Sequence, residues 1–321
     1  MRKIKVAVLR GGPSSEYEVS LKTGKQVIDS LPSGYIPIDV FIDRSGIWHV
    51  DGAPVEPQKI LQTSDVVFNA LHGEYGEDGK LQRLLDHYGV KYTGSTALAS
   101  ALAMNKVMAK EIFQSAGIKT PVFKVFKNIK DIHGTAQTIF RTFPMPAIVK
   151  PNASGSSVGV SIAKKHTDLA PAIEEALKYS DTVLVEEFIV GKEATCGVIE
   201  SFKGQKYYSL LPVEICKPAE NAFFDFDAKY SGKSKEICPG NFSAKESKQI
   251  QEMAIAAHKA LGLRHYSRSD FMVHPKRGVY ILETNTLPGL TSESLLPKSL
   301  KAVGSTLPHF LDHILQLALG K

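Results

Sequence analysis

The most informative part of this sequence is RSDFMVHPKRGVYILETNT (residues 268–286). Two runs typical of β-strands flank its centre, and the PKRG between them is a signal for a hairpin turn. With the turn centred between the lysine and the arginine, Arg268 faces Asn285 and Asp270 faces Glu283. Because side chains alternate across a strand, all four then lie on one face of the predicted hairpin.

This polar face has two interpretations. Two carboxylates and an amide oxygen are hard ligands, suited to Mg²⁺ that also holds nucleotide phosphates. The alternative is an exposed sheet face with an Arg–Asp or Arg–Glu ion pair, which contributes only ~0–1 kcal/mol. A register slip of one residue would scatter the group, so both interpretations stay open here. The opposite face, predicted to face the core, carries Phe271, Val273, Tyr280 and Leu282.

A loop of small residues forms a second feature, in IVKPNASGSSVGV (residues 148–160). Glycine lets backbone N–H groups approach an anion closely, so such loops often hold phosphate. This one fits neither G-x-x-x-x-G-K-[ST] nor a strand-flanked G-x-G-x-x-G. The sequence therefore indicates a phosphate loop of a less common kind.

The first ~95 residues alternate strand-like and helix-like patterns, which predicts an α/β layer with a mostly parallel sheet. The predicted strands are KIKVAVL (3–9), IPIDVFID (36–43) and DVVFNAL (65–71). Ser15 and Glu18 have the spacing of a capping box, so a helix is expected to open there.

The rest of the chain mixes helical and strand patterns. Residues 96–117 (TALASALAMNKVMAKEIFQSAG) are predicted to form one helix that ends at glycine. Residues 217–240 follow neither period, and their aromatic side chains favour a packing lid over disorder. Ser243 and Glu246 form a second predicted capping box.

Composition limits the class of protein. The 321 residues suffice for two or three domains of ~100–200 residues each. With 43% hydrophobic and 22% charged residues, the chain has the balance of a globular protein with a core. The net charge of +6 (39 minus 33) would suit anionic ligands, but the lysines and arginines are scattered. A solvated surface is therefore expected, and nucleic-acid binding is only an alternative.

Cysteine usage and hydropathy bear on the compartment. Cys196, Cys216 and Cys238 are few, odd in number and without a C-x-x-C, which argues against a disulfide framework or a zinc site. The apolar run at the N-terminus, Val6–Leu9, is shorter than the ~7–15 residues of a signal peptide. No run reaches the ~18 apolar residues of a membrane span. A cytoplasmic protein without membrane or nucleic-acid partners is expected.

Nine segments, in order, resemble the D-alanine–D-alanine ligases of the ATP-grasp superfamily over nearly the whole chain. They read GGPSSEYEVS, ALHGEYGEDGKLQ, YTGS, MNK, IVKPNASGSSVGV, VEEFI, DFDAKY, SRSDFM and ETNTLPGLTSESLLP. The resemblance implies an α/β (α+β) fold in three parts. These are an N-terminal Rossmann-like pre-ATP-grasp domain (1–95), a central ATP-grasp domain (96–189) and a C-terminal ATP-grasp domain (190–321) with the metal site and a lid (217–240).

The resemblance also implies a reaction. Two D-alanines are joined for peptidoglycan synthesis while ATP is cleaved to ADP and phosphate, through an acyl phosphate. The implied cofactors are ATP and two Mg²⁺ (or Mn²⁺) ions, and a K⁺ requirement is left open. A homodimer is expected by family analogy alone.

Site residues follow from the resemblance, residue by residue. The implied metal ligands are Asp270, Glu283 and Asn285. The implied ATP-binding residues are Lys106, Lys150, Gly155, Ser157, Glu186, Glu187, Phe188, Ile189, Glu193 and Lys229. The implied catalytic residues are Glu16, Ser156, Tyr230, Arg268 and Gly289. The implied substrate-binding residues are His72, Ser294 and Leu295.

Within these sets the resemblance gives individual roles. Arg268 and the Gly289 N–H would stabilise an oxyanion. Glu16 would anchor the first ammonium and join Ser156 and Tyr230 in a hydrogen-bonded trio. His72 would lie near the first substrate's carboxylate. The second D-alanine would be held by Ser294 and Leu295.

Other functions stay open on the sequence. Ligases that make D-alanyl-D-lactate typically replace the lid tyrosine, and DAKY is intact here (residues 227–230), which favours an amine as the second nucleophile. D-Ala–D-Lac and D-Ala–D-Ser ligation remain the nearest alternatives. A dinucleotide-dependent oxidoreductase is indicated only by the first strand and the Gly11-Gly12 loop, without G-x-G-x-x-G.

Overall fold

The computed structural model describes residues 2–152, 158–216 and 235–321. Their strands form three sheets that follow one another along the chain. The first has the order β4-β3-β2-β1-β5, with β1 parallel to both β2 and β5, as the alternating pattern predicts. Its elements are β1 (Ile4–Gly11), α1 (Tyr17–Ser30), β2 (Tyr35–Ile42), β3 (Trp48–Val50), β4 (Ala53–Pro54), α2 (Pro57–Thr63), β5 (Val66–Asn69) and α3 (Lys80–His87).

The second sheet is antiparallel throughout and has the order β6-β9-β7-β8. Two helices, α4 (Ala97–Met104) and α5 (Lys106–Ser115), precede it. Its elements are β6 (Phe123–Lys127), α6 (Ile132–Thr142), β7 (Ala147–Pro151), β8 (Ser161–Ala163), α7 (His166–Leu177) and β9 (Thr182–Glu187).

The third sheet has the order β13-β12-β10-β14-β15, with β11 paired to β10. Its strands are β10 (Lys192–Phe202), β11 (Gln205–Ser209), β12 (Val213–Cys216), β13 (Lys235–Ile237), β14 (Tyr266–His274) and β15 (Gly278–Asn285). The helices of this part are α8 (Ala244–Ala260), α9 (Leu295–Ala302) and α10 (Leu307–Leu319). Most of the predicted lid, residues 217–234, lies outside the described residues.

The two predicted capping boxes have opposite outcomes. Ser243 and Glu246 cap α8 reciprocally, as predicted. The box at Ser15 is wrong, because α1 begins at Tyr17 and the carboxylate of Glu18 pairs with Arg44 instead.

The prediction of one helix over residues 96–117 is also wrong. Asn105 is extended (φ −82°, ψ 102°), and its side chain accepts the N–H of Met108, so a second helix starts at Lys106. Asparagine is among the preferred N-cap residues because its oxygen satisfies an N–H that the first turn leaves unpaired. The break turns Lys106 towards the third sheet.

The packing joins distant parts of the chain. Ala99, Ala103 and Phe113, from α4 and α5, are buried against the third sheet together with Phe271 and Ile281. Side chains of α10 share a core with the first sheet in the same way. No helix among the described residues combines the length and apolar character needed to cross a membrane.

Candidate active site

The polar residues of the predicted hairpin meet at one end of β14 and β15. The register pairs Arg268 with Asn285 and Asp270 with Glu283, as predicted. Just beyond Asp270 the pairing shifts by one residue, which is the signature of a β-bulge. The polar end therefore keeps its predicted pairing, and the rest of the hairpin does not.

The bulge changes which residues form the apolar face. Phe271 pairs with Ile281, and Val273 pairs with Val279, and all four are buried in one core. The prediction that Tyr280 and Leu282 share the face of Phe271 and Val273 is therefore wrong: the extra residue on β15 moves its neighbours out of the strict alternation.

Asp270 is held on several sides. The Arg268 guanidinium donates from Nε to Oδ1 (3.0 Å) and from Nη2 to Oδ2 (2.9 Å). Asn285 Nδ2 donates to Oδ2 (3.1 Å), and the Thr195 hydroxyl donates to Oδ1 (2.6 Å). This two-pronged arginine contact fixes the plane of the carboxylate. The Arg–Asp ion pair of the alternative interpretation is therefore present. Its carboxylate also belongs to the predicted metal-binding set.

Lys106 joins the same group from α5. Its Nζ lies 3.3 Å from Glu283 Oε2, and its side chain is only 11% exposed. The position follows from the helix start at Asn105, which makes Lys106 the first residue of α5. A lysine therefore lies beside the carboxylates, where a phosphate group bound to a shared metal would need positive charge.

The residues present fit a divalent metal that is shared with a ligand. Asp270 and Glu283 supply carboxylate oxygens and Asn285 an amide oxygen, the hard donors that Mg²⁺ prefers. Among residues 2–152, 158–216 and 235–321, no cluster of three or more His, Cys, Asp or Glu side chains could hold a metal. Mg²⁺ commonly takes only one or two carboxylates and completes its shell with water and substrate phosphates, so the partial set suits it.

A second charged cluster lies buried between α5, β7 and β9. Glu186 Oε1 is 3.0 Å from Lys110 Nζ and 2.8 Å from Lys150 Nζ. Glu186 faces Ile148 across the sheet, and Lys150 is two residues further along β7, on the same face. None of the three charged side chains is more than 8% exposed.

Burial and charge act against each other in this cluster. Burial lowers the pKa of Lys110 to about 8, although the Glu186 carboxylate favours its charged form. Burial opposes ionisation of Glu186 as well, but the two ammonium groups outweigh it and lower its pKa. With all three ionised, the cluster carries a charge of +1, which favours an anionic ligand nearby.

The segment predicted to hold adenine, residues 186–189, spans the end of β9. The Glu187 carboxylate pairs with the Arg277 guanidinium. The Phe188 N–H donates to the Pro146 carbonyl (3.4 Å), and Ile189 is buried. These residues therefore contact protein groups, and their assignment to ATP stays a prediction.

His72 is buried and both of its ring nitrogens have protein partners. Nδ1 lies 2.9 Å from the Leu287 carbonyl and Nε2 lies 2.8 Å from the Thr23 hydroxyl. A carbonyl can only accept, so Nδ1 carries the proton and Nε2 accepts from Thr23 when the ring is neutral. Burial lowers the pKa of His72, which favours this neutral form.

The predicted substrate-binding residues of the C-terminal part lie where the loop after β15 meets α9: Ser294 is the N-cap of this helix and Leu295 its first residue. The Ser294 hydroxyl accepts the Thr291 N–H (3.1 Å), and Leu295 packs against Ile215. A Cβ at Gly289 would lie 2.8 Å from Ser294 Oγ, so any larger residue there would displace the serine hydroxyl.

A cavity of about 930 Å³ brings the majority of these residues together. Eleven of the predicted site residues line it: Glu16, His72, Lys106, Glu193, Arg268, Asp270, Glu283, Asn285, Gly289, Ser294 and Leu295. Five predicted residues are described but do not line it: Lys150, Glu186, Glu187, Phe188 and Ile189. Five more lie outside the described residues: Gly155, Ser156, Ser157, Lys229 and Tyr230.

Two residues of the site were not predicted from the sequence. Lys110 completes the buried cluster, and its only signal is its position one helical turn after Lys106. Glu77 lines the cavity, and its pKa is raised to about 7 by burial and by the neighbouring Glu16 carboxylate. It lies within the motif ALHGEYGEDGKLQ (70–82), which contains several acidic residues, and the sequence does not indicate which of them faces the site.

The cavity brings the layers of the first and third sheets together and places Lys106 beside the carboxylate–amide set. Comparison with known proteins identifies the family that has this fold. The family model described as D-ala D-ala ligase C-terminus matches residues 112–316, and that described as D-ala D-ala ligase N-terminus matches residues 51–95. The chain therefore belongs to the D-alanine–D-alanine ligase family.

Individual relatives extend over the whole chain. A D-alanine–D-alanine ligase of Geotalea uraniireducens is 41% identical over 320 residues, covering 99% of this chain and 96% of the relative. The D-alanine–D-alanine ligase structure from Coxiella burnetii has a TM-score of 0.85 at 28% identity and covers 100% and 95% of the two chains. The VanG D-Ala:D-Ser ligase from Enterococcus faecalis has a TM-score of 0.85 at 32% identity, covering 98% and 99%. The resemblance and the fold class predicted from the sequence are thereby confirmed.

Proposed function

We propose that this chain joins two D-alanine molecules to D-alanyl-D-alanine, with cleavage of ATP to ADP and phosphate, to supply a peptidoglycan precursor. As a member of its family it is an enzyme, an ADP-forming ligase. The observation that carries the proposal is the shared cavity, where α1 and the loops that flank the first sheet meet the polar end of the hairpin. A reaction that joins two small zwitterions needs such a meeting of cations and anions.

The chemistry explains the residues. A carboxylate is a poor electrophile, so its oxygen first attacks the γ-phosphorus of ATP, and ADP leaves. The amine of the second D-alanine then attacks the acyl phosphate, a tetrahedral oxyanion forms, and phosphate departs as the amide forms. Phosphoryl transfer requires charge neutralisation and positioning, which Lys106 and Lys150 would provide. Arg268 and the Gly289 N–H would stabilise the oxyanion.

Asp270, Glu283 and Asn285 would hold two Mg²⁺ (or Mn²⁺) ions. When bound, these ions would neutralise charge on the phosphates of ATP. Lys106 Nζ, already beside Glu283, would add a further cation at the same place. A K⁺ requirement stays open.

The substrates would be held at the two ends of the cavity. Glu16 would bind the ammonium of the first D-alanine and His72 would lie near its carboxylate, while Ser294 and Leu295 would hold the second. The roles of Glu186, Glu187, Phe188, Ile189 and Glu193 at the adenosine, and of Gly155, Ser156, Ser157, Lys229 and Tyr230 at the loop and lid, rest on the sequence resemblance.

A second candidate, D-Ala–D-Ser ligation, is favoured by the 32% identity to a D-Ala:D-Ser ligase over nearly the full length. Phosphate release from ATP, with product identification, should be measured with D-alanine alone and with D-alanine plus D-serine or D-lactate. We expect D-alanyl-D-alanine as the main product at equal concentrations. A main product that contains D-serine or D-lactate would replace the proposal with the corresponding alternative.

Organisation and setting are part of the proposal. The domains would be residues 1–95, 96–189 and 190–321, with a homodimer as the assembly. A cytoplasmic location is supported by the sparse cysteines, since Cys196, Cys216 and Cys238 are all free thiols. D-alanine and ATP would be the partners, without nucleic acid or membrane.

A further inference from the structure

The backbone of Leu287 is held from both sides by one loop of the first sheet's layer. Its N–H donates to Glu77 Oε2 (3.2 Å), and its carbonyl accepts from His72 Nδ1 (2.9 Å). The Leu287 side chain is 3% exposed and packs in the core that the first sheet shares with α10. Leu287 is therefore fixed by hydrogen bonds at its N–H and its carbonyl and by the packing of its side chain.

The holding groups are themselves fixed. Glu77 Oε1 accepts the Gly73 N–H (3.0 Å), and Oε2 also accepts the Thr286 hydroxyl (3.2 Å). The second nitrogen of the His72 ring accepts from Thr23, a residue of α1 that is 1% exposed. A carboxylate with three donors and an imidazole with two partners have little freedom to move.

The position of Leu287 in the chain gives this arrangement a consequence for the reaction. Asn285, two residues before it, belongs to the proposed metal set, and Gly289, two residues after it, carries the proposed oxyanion donor. Asn285 is additionally held by the ladder between β14 and β15, where it pairs with Arg268. Gly289 lies outside the strands, between the buried residues Leu287 and Leu290. On its N-terminal side, the backbone held at Leu287 therefore sets its orientation.

We propose that Glu77 and His72 are positioning residues that hold the backbone at Leu287 and thereby aim the Gly289 N–H at the reacting carbonyl. This inference rests on the proposed function for the identity of the oxyanion donor. It assigns to Glu77 a role that the sequence did not predict, and it gives His72 a task that needs no contact with substrate. The N-terminal layer thus supports the reaction centre through the backbone as well as through Glu16.

The first test needs no substrate. Amide hydrogen exchange over residues 286–290 should become about 10-fold faster in Glu77→Ala, because the hydrogen bond from the Leu287 N–H to the Glu77 side chain is lost. Glu74→Ala is the matched control: Glu74 lies in the same loop, but its side chain is 70% exposed and pairs with Lys80. Unchanged exchange in the Glu77 variant would overturn the proposal.

The second test separates positioning from general stability. We expect kcat to fall about 100-fold in Glu77→Ala, as for a misplaced catalytic group, while KM for ATP stays within about twofold of the wild type. A KM for ATP that rises in step with the loss of kcat, or an unchanged kcat, would refute the proposal.

A conservative variant covers the case in which Glu77→Ala does not fold. Glu77→Gln offers one acceptor oxygen, so it can satisfy the N–H of Gly73 or of Leu287 but not both, and exchange and kcat should lie between wild type and the alanine variant. Wild-type values for both would contradict the proposed positioning. A wild-type enzyme that forms no D-alanyl-D-alanine would refute the proposed function instead, and the exchange result would still stand.

Discussion

Two charged clusters of this ligase differ in how the chain assembles them. The hairpin end (Arg268, Asp270, Glu283 and Asn285) comes from two adjacent strands, and with one arginine and two carboxylates it carries −1. The lysine cluster (Lys110, Lys150 and Glu186) comes from three separate elements, and with two lysines and one glutamate it carries +1. The first borders the open cavity and the second is almost completely buried.

The two clusters differ in how much hydration their charged groups lose on folding. The hairpin end keeps contact with solvent through the cavity, so its ionised groups remain hydrated in the absence of a ligand. The lysine cluster has lost most of its hydration, and the Glu186 carboxylate must compensate two ammonium groups. Mutations in the hairpin end should therefore reduce activity, and mutations in the lysine cluster should first reduce stability.

The largest effect is expected for Glu283→Gln. The amide keeps the shape but removes the charge of a proposed metal ligand, so kcat should fall about 10³-fold, as for loss of a main electrostatic stabiliser. The melting temperature should stay close to that of the wild type. Steady-state phosphate release and thermal unfolding measure the two quantities.

A matched control for this variant is Glu252→Gln, on the exposed surface of α8, where the side chain is 66% exposed. It should leave kcat unchanged. Wild-type-like activity of Glu283→Gln would overturn the assignment of the hairpin end, and a large fall in its melting temperature would remove the contrast between the two clusters.

The hairpin end could be predicted from the sequence because its geometry is local. A turn at PKRG and a period of two are enough to pair Asp270 with Glu283. The same reasoning fails beyond Asp270, because a bulge inserts a residue without any composition signal, and Tyr280 and Leu282 are then assigned to the wrong face.

The lysine cluster could not be predicted in this way. Lys110, Lys150 and Glu186 meet only after α5 has packed beside β7 and β9, and no spacing along the chain encodes that meeting. The helix break at Asn105 was hidden for a related reason: its neighbours are strong helix formers, and one capping side chain decides the boundary. The prediction at Ser15 shows the reverse error. The capping-box spacing is present in the sequence, but the Glu18 carboxylate pairs with Arg44 and does not cap the helix.

An intermediate effect is expected for Glu186→Gln. Removal of the one carboxylate leaves two buried ammonium groups without compensation, so the free energy of unfolding should fall by about 3 kcal/mol at pH 7. Glu187→Gln is the matched control on the same strand, because its partner Arg277 is 41% exposed and the pair should contribute about 1 kcal/mol or less. Urea unfolding measures both, and equal losses would show that burial does not distinguish the two positions.

The smallest effect is expected for Lys110→Met. It should be visible in the pH dependence of the free energy of unfolding. The pKa of Lys110 is about 8 in the folded protein, below its ordinary value of 10.5, because burial disfavours the charged form. Between these values the folded state has released a proton that the unfolded chain still holds, so the wild type becomes harder to unfold as pH rises.

The Lys110→Met variant lacks the ammonium group that releases this proton. Its free energy of unfolding should be close to that of the wild type at pH 7, where loss of a buried charge offsets loss of the contacts with Glu186 and Thr120. From pH 8 to 10 the wild type should gain about 1–2 kcal/mol relative to the variant. Lys248→Met, whose side chain is 77% exposed in the wild type, should show no such divergence. Parallel stability curves for wild type and Lys110→Met would mean that Lys110 titrates as an ordinary lysine, and the lysine cluster would then resemble the hairpin end in keeping its hydration.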